Sequence, residues 1–197
     1  MSPCYSYDIF LTMTKNEAIE LFNQIHPNHF KMDYITEMQT EENFDEQILN
    51  LSDFDVNSLE IPVPEGTTFG WYKGDGEKLF SAVNQVDESW SQFDIFKTGE
   101  RVFCGFLNGE LASFCVVEDM GTCNLGERKI KVGGPGCVGT VPAFRRKGIG
   151  LKMVQLATQI LKEEGYEISW IHWTGVGKWY ARLGYQTVFT WNKHGII

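Results

Sequence analysis

Residues 140–150, Thr-Val-Pro-Ala-Phe-Arg-Arg-Lys-Gly-Ile-Gly, join a β-like segment to a long amphipathic helix through an Arg-x-x-Gly-x-Gly turn. Downstream, Ile149, Met153, Leu156, Ile160 and Leu161 recur at helical spacing, which predicts a helix over 148–164 with one apolar stripe. Gly148 and Gly150 keep side chains off the turn. Backbone N–H groups then stand uncovered at the positive end of the helix dipole, a cradle suited to a pyrophosphate. The turn itself does not read G-x-G-x-x-G, and no acidic residue ends a following strand about 20 residues on, so a dinucleotide fingerprint fits poorly. No Gly-Lys-Ser/Thr follows either, which excludes a Walker loop.

The segments around this unit alternate strand and helix. Thr14-Lys15-Asn16-Glu17 is a capping box ahead of Ala18, Ile19, Leu21, Phe22 and Ile25, and His26-Pro27 ends that helix. A second helix is expected from Thr40-Glu41-Glu42 through Phe44, Ile48, Leu49 and Leu51. Residues 61–66, with two prolines and a glycine, read as a linker. Beyond it, 67–72 is strand-like and Gly74-Asp75-Gly76 leads into a helix carrying Leu79, Phe80, Val83 and Val86. Asn108-Gly109 joins 101–107 to 110–117 as a hairpin. Residues 119–131 read as a loop and 136–141 as a strand. After the 148–164 helix come a strand (167–173), a short helix (176–183) and a last strand (185–191). The order predicts an α/β chain, an α+β sandwich with a mixed, largely antiparallel sheet over 65–197. Residues 1–64 form an acidic, mainly helical N-terminal extension.

Charge follows the same division. Residues 1–64 hold twelve acidic and two basic side chains, whereas 65–197 hold fourteen and fifteen. The acidic section argues against nucleic acid as a partner. From Arg145 onward eight basic residues face three acidic ones, an excess that suits an anionic ligand but is equally ordinary for a solvated face. No run reaches the ~18 apolar residues of a membrane span, so no membrane partner is expected. The first eight residues show neither a basic nor an apolar region of a leader. Five cysteines without C-x-x-C spacing read as free thiols in a reducing cytoplasm. His26 and His29 lack partners at ligand spacing, and no metal is expected.

A second motif lies thirty residues past the turn: Trp179-Tyr180-Ala181-Arg182-Leu183-Gly184-Tyr185. Together the two motifs resemble the acetyl-CoA-binding motif and the C-terminal helix–strand motif of the GNAT N-acetyltransferase superfamily, a likeness covering about two-thirds of the chain. The resemblance implies that amides of Arg146, Lys147, Gly148, Ile149, Gly150 and Leu151 hold the pyrophosphate of acetyl-CoA. It also implies that Val138, Gly139 and Thr140 pair with the pantetheine arm like an added strand and stabilise the oxyanion. Tyr180 falls at the position of the family's general acid, protonating the CoA thiolate. Glu118 and Asp119, at the end of a hairpin strand, are the candidate bases, with solvated strand-end carboxylates as the ordinary alternative. His172 could serve instead, although a core histidine is the commoner reading. Cys137 has no neighbour that would activate a thiolate.

One departure stands out. Many members have an asparagine seven residues before the tyrosine, and here that position is Trp173, followed by Thr174-Gly175. The expected function is acetyl transfer from acetyl-CoA to a primary amine of a small molecule or peptide by direct attack in a ternary complex. The alternatives are a non-catalytic acyl-CoA-binding or sensing module, and an interaction protein working through the acidic N-terminal segment. Oligomeric state is open, a homodimer included.

Overall fold

The computed structural model describes residues 13–197, and the start of the chain with Cys4 lies outside the described residues. Helix α1 (Lys15–Ile25) begins at the expected box: the Glu17 amide donates to Thr14 Oγ1 at 3.3 Å and the Thr14 amide to Glu17 Oε2 at 2.8 Å. Ala18, Leu21 and Phe22 form its buried stripe, and His26 caps its end. A 3-10 turn (His29–Lys31) and the one-turn α2 (Asp33–Thr36) follow.

Residues 44–50 are a strand, not the expected helix. β1 (Phe44–Asn50) lies inside the sheet, antiparallel to a neighbour on either side. Glu46, Gln47, Ile48 and Leu49 are consecutively buried. A strand covered on both faces has no alternation, and Phe44, Ile48 and Leu51 then mimic helical spacing.

The remaining α-helices and strands are β2 (Thr67–Trp71), α3 (Gly76–Asn84), α4 (Asp94–Thr98), β3 (Val102–Leu107), β4 (Glu110–Leu125), β5 (Arg128–Thr140), α5 (Ile149–Glu163), β6 (Ile168–Thr174), α6 (Gly177–Tyr180), β7 (Gln186–Asn192) and β8 (Gly195–Ile196). The Asn108-Gly109 hairpin forms with φ of 52° and 82°, the positive values a two-residue turn demands. The expected loop at 119–131 is instead the tip of the long β4–β5 hairpin, turning at Gly126-Glu127. Cys123, Ile130 and Val132 are buried beneath α1, and the Gln24 amide bonds both the carbonyl and the amide of Asn124, which is why this polar stretch stays extended.

Among the described residues eight strands form one sheet in the order β2-β3-β4-β5-β6-β1-β7-β8, antiparallel throughout except between β5 and β6. Strand alternation divides the cores. Cys115, Val117 and Ile171 pack with Leu151, Met153, Val154 and Ala157 of α5 on one face. Phe114, Val116, Ile168 and Trp170 point to the other, where α3–α4 cover one half and α1 the other. Residues 51–64 lie along α5 rather than hanging free. Gln155 Nε2 donates to Leu59 O at 2.8 Å, Lys162 Nζ to Phe54 O at 2.5 Å, and Leu51, Phe54 and Ile61 are buried. Among the described residues no helix is long and apolar enough to cross a membrane.

Candidate active site

The site begins where the sheet opens. β5 and β6 pair only at Val132–Ile168 and Gly133–Ser169, and then diverge. Both strands carry an extra residue just beyond. On β5, Cys115 faces both Cys137 and Val138, with Cys137 at φ 45°. On β6, Glu46 of β1 faces both His172 and Trp173, with Trp173 at φ 52°. Bulges of this kind increase local twist and end pairing, so the edge of β5 beyond Gly133 is left without a strand partner.

A cleft of about 880 Å3 runs along that opening. Val138 and Thr140 supply one wall, the turn from Arg145 to Leu151 another, and Val176, Trp179 and Tyr180 a third. The fourth wall is Ile61–Pro64, the stretch read as a linker.

The turn has the geometry its glycines predict. Gly148, at φ 80°, caps α5, and the first backbone bond into the helix runs from the Lys152 amide to Gly148 O. The Arg145 amide is satisfied by Pro142 O. Between them, the amides of residues 146–151 have no acceptor among the described residues, so six consecutive donors are free in residues that line the cleft, at the positive end of a fifteen-residue helix. Arg145, Arg146, Lys147 and Arg182 are exposed at its rim, and Arg145 Nε holds Thr140 O at 3.0 Å. Of the nine residues expected to hold cofactor, eight line the cleft. Gly139 does not; a Cβ there would collide with the buried Phe114 ring, so its glycine serves packing.

Tyr180 lines the cleft and is itself buried. Trp179 packs edge-on against it at 4.8 Å and Tyr185 at 6.0 Å. Burial, with Tyr185 next, pushes its hydroxyl well above the ordinary tyrosine value, so it keeps its proton at neutral pH. β1 sets its position, because Gln47 Nε2 donates to Gly177 O at 3.2 Å at the start of α6. Gly184, at φ 95°, turns the chain into β7.

The two carboxylates named as bases are placed differently. Glu118 lies over Gly136, where any side chain would displace it. Burial pushes its carboxyl up, and the nearby His172 draws it partly back. Asp119 is exposed and accepts the Gly121 amide at 2.9 Å, a local turn bond. The Cys137 thiol is pushed up to about 12, chiefly by burial, so it holds no thiolate. Trp173 packs with the α1 core and Thr174 Oγ1 accepts the Val176 amide at 3.1 Å, so neither lines the cleft in place of the missing asparagine. Among the described residues no cluster of His, Cys, Asp and Glu is arranged to hold a metal.

Two features have no place in the sequence expectations: the wall Ile61–Pro64 and the buried Glu46. The signal for the latter was a carboxylate two residues before the apolar Ile48-Leu49.

The model of the Acetyltransferase (GNAT) domain family matches residues 67–188. No curated protein matches the chain. Among solved structures, the chain is similar to a GCN5-related glucosamine N-acetyltransferase region of a fungal multi-domain GH3 β-N-acetylglucosaminidase, at 20% identity and a TM-score of 0.59 over 75% of this chain and 20% of that one. A GCN5-related N-acetyltransferase from Kribbella flavida aligns at 18% identity and TM-score 0.51, covering 76% of this chain and 56% of its own. One from Sphaerobacter thermophilus gives 18%, 0.50, 74% and 48%. The chain thus spans from a fifth to just over half the length of these structures, and the likeness is one of fold. With the family matched over more than half its length, the chain belongs to the GNAT acetyltransferases.

Proposed function

We propose that the protein transfers an acetyl group from acetyl-CoA to a primary amine of a small molecule or peptide, by direct attack with both substrates bound. The observation that carries this reading is the run of six free amides at the head of α5, set on the wall of a cleft that also holds an unpaired strand edge and a buried tyrosine. Acetyl-CoA supplies the thioester carbonyl that the amine attacks. The 146–151 amides and the basic rim would hold its pyrophosphate. The free edge of β5 at Val138 would pair with the pantetheine amides, and its N–H groups would stabilise negative charge on the carbonyl oxygen.

Tyr180 would give the departing sulfur its proton. Glu118, rather than the exposed Asp119, would take a proton from the acceptor. A carboxyl raised by burial is a better base at neutral pH than a solvated one. The acceptor would enter from the face opposite α5, between α1 and α3–α4, because Glu118 shares that face with Phe114 and Val116.

Calorimetric titration with acetyl-CoA, CoA and ATP tests the cradle. Micromolar binding of both thiol cofactors but not ATP is expected, and absence of binding by either would sink the reading. A panel of spermidine, tyramine, glucosamine and a lysine peptide then tests transfer.

A further inference from the structure

Glu46 is fully buried in the middle of the sheet, and among the described residues its ion-pair partner is a histidine. Its Oε2 accepts Trp170 Nε1–H at 2.6 Å. Its Oε1 accepts Trp191 Nε1–H at 2.8 Å and the bulged Trp173 amide at 3.1 Å, and stands 2.8 Å from His172 Nδ1. Indole and amide nitrogens can only donate, so this carboxyl is an acceptor throughout. Burial alone would raise it, but the bonds from His172, Trp170 and Trp191 outweigh burial and hold it below the ordinary carboxylate value. An ionised Oε1 fixes the proton of a neutral His172 on Nδ1 and leaves the lone pair on Nε2.

That Nε2 has no hydrogen-bond partner among the described residues, and the His172 side chain is 23% exposed while Glu46 is sealed. Its place in the sheet matters. His172 lies three residues past Ser169, the last paired residue of β6, and Gly136 lies three past Gly133, the last of β5. The two stand equally far beyond the last pair on either side of the opening, with the Glu118 carboxyl over Gly136 and near enough for His172 to lower it. Both side chains are on the face opposite α5. His172 stacks on His26 at 4.1 Å and meets His29 edge-on at 5.1 Å, under α1. Both histidines are lowered to about 4, first by burial and then by His172, so neither competes for a proton at neutral pH. The titratable groups around His172 are therefore Glu46, His26, His29 and, across the opening, Glu118.

We propose that the proton acceptor of this site is the pair Glu118 and His172, with Glu46 as the positioning residue that sets the tautomer of His172. This rests on the transferase reading. One proton of the acceptor ammonium passes to the pair, and the freed nitrogen lone pair forms the C–N bond to the acetyl carbon. The C–S bond breaks, and its electrons leave on sulfur, which takes the Tyr180 proton. The nitrogen's second proton restores Tyr180, and the pair releases its own proton to water.

The test uses His172→Asn, whose amide can still donate to Glu46 and so keeps the fold, but which lacks the Nε2 lone pair. We expect turnover to fall by about 10²-fold with unchanged acetyl-CoA affinity. Glu118→Gln alone should keep part of the turnover that the double variant loses. Nitrogen NMR of the wild type should show His172 as the Nδ1–H tautomer, and Glu46→Gln, if it folds, should abolish that preference. A His172→Asn enzyme with wild-type turnover, or an Nε2–H tautomer in the wild type, would overturn the proposal while leaving acetyl transfer intact. A wild-type protein that acetylates none of the amine panel would overturn the transferase reading, and this inference with it.

Discussion

The carbonyl oxygen of Pro62 occupies the place where a side chain on Gly148 would begin. The turn at the head of α5 is thus closed from behind by a segment eighty-six residues earlier, and Gly148 answers to two constraints, this contact and its φ of 80°. A substitution there cannot be a clean test of cofactor binding, because any Cβ must also displace the 61–64 wall.

Gly148→Ala should cost stability as well as binding, by roughly 1–3 kcal/mol for strain in a left-handed position. Gly150 is the cleaner probe. A Cβ at 150 lies 2.5 Å from Thr140 Oγ1 and 3.7 Å from Trp179, so one hydroxyl must rotate while the backbone is spared. Gly150→Ala should weaken acetyl-CoA at least about tenfold, some 1.4 kcal/mol, with little change in melting temperature. Calorimetry paired with thermal melts separates the two variants, and identical profiles would contradict this assignment.

Tyr180→Phe removes one hydroxyl from a buried ring. Turnover should drop by about 10²-fold and acetyl-CoA affinity should hold within a factor of about two. Since burial raises the Tyr180 hydroxyl, its deprotonation should produce no basic limb below pH ~10. Single-turnover rates across pH would reveal one if the tyrosine were more acidic.

Glu118→Gln should separate activity from stability. The folded carboxyl is raised above its unfolded value, so its favourable contribution exists below the unfolded pKa and is lost as pH rises through the folded one. At neutral pH Glu118 therefore opposes folding, and Gln should raise the melting temperature while lowering turnover. A variant that melts lower at pH 7.5 would count against the carboxyl being desolvated.

His26 and His29 give the opposite sign. Their folded values are near 4, below the ordinary 6.5, so the stability they carry is present above 6.5 and lost as pH falls toward 4. The wild type should lose melting temperature across that window, and His29→Phe should flatten the slope. An unchanged slope would place the acid sensitivity elsewhere.

The strand–turn–helix unit was legible because local chemistry writes it. Gly148 needs a left-handed φ, the apolar stripe of α5 has one periodicity, and Asn108-Gly109 admits one kind of turn. The place of Tyr180 on the cleft wall was legible by motif. What escaped depends on partners distant in sequence. The strand character of 44–50 follows from β6 and β7 on either side, and nothing local distinguishes a doubly buried strand from a helix. The 119–131 stretch is polar outside yet held extended by Gln24 and the α1 core. Glu46 reads as an ordinary surface acid until two tryptophans and a histidine from 124 to 145 residues away converge on it.

β1 also dictates an order of assembly. During synthesis its seven residues leave the ribosome more than a hundred residues before β6 and β7 exist to receive them. Until then the strand has two open edges and Glu46 has none of its indole donors. The hairpins from β2 to β5 can form early, but the half of the sheet that positions α6 cannot close until nearly the whole chain has emerged. Such long-range pairing folds slowly and leaves an exposed edge while it waits. Removing residues 1–64 would therefore extract a central strand from the sheet, and the remainder would have to pair β6 with β7 directly.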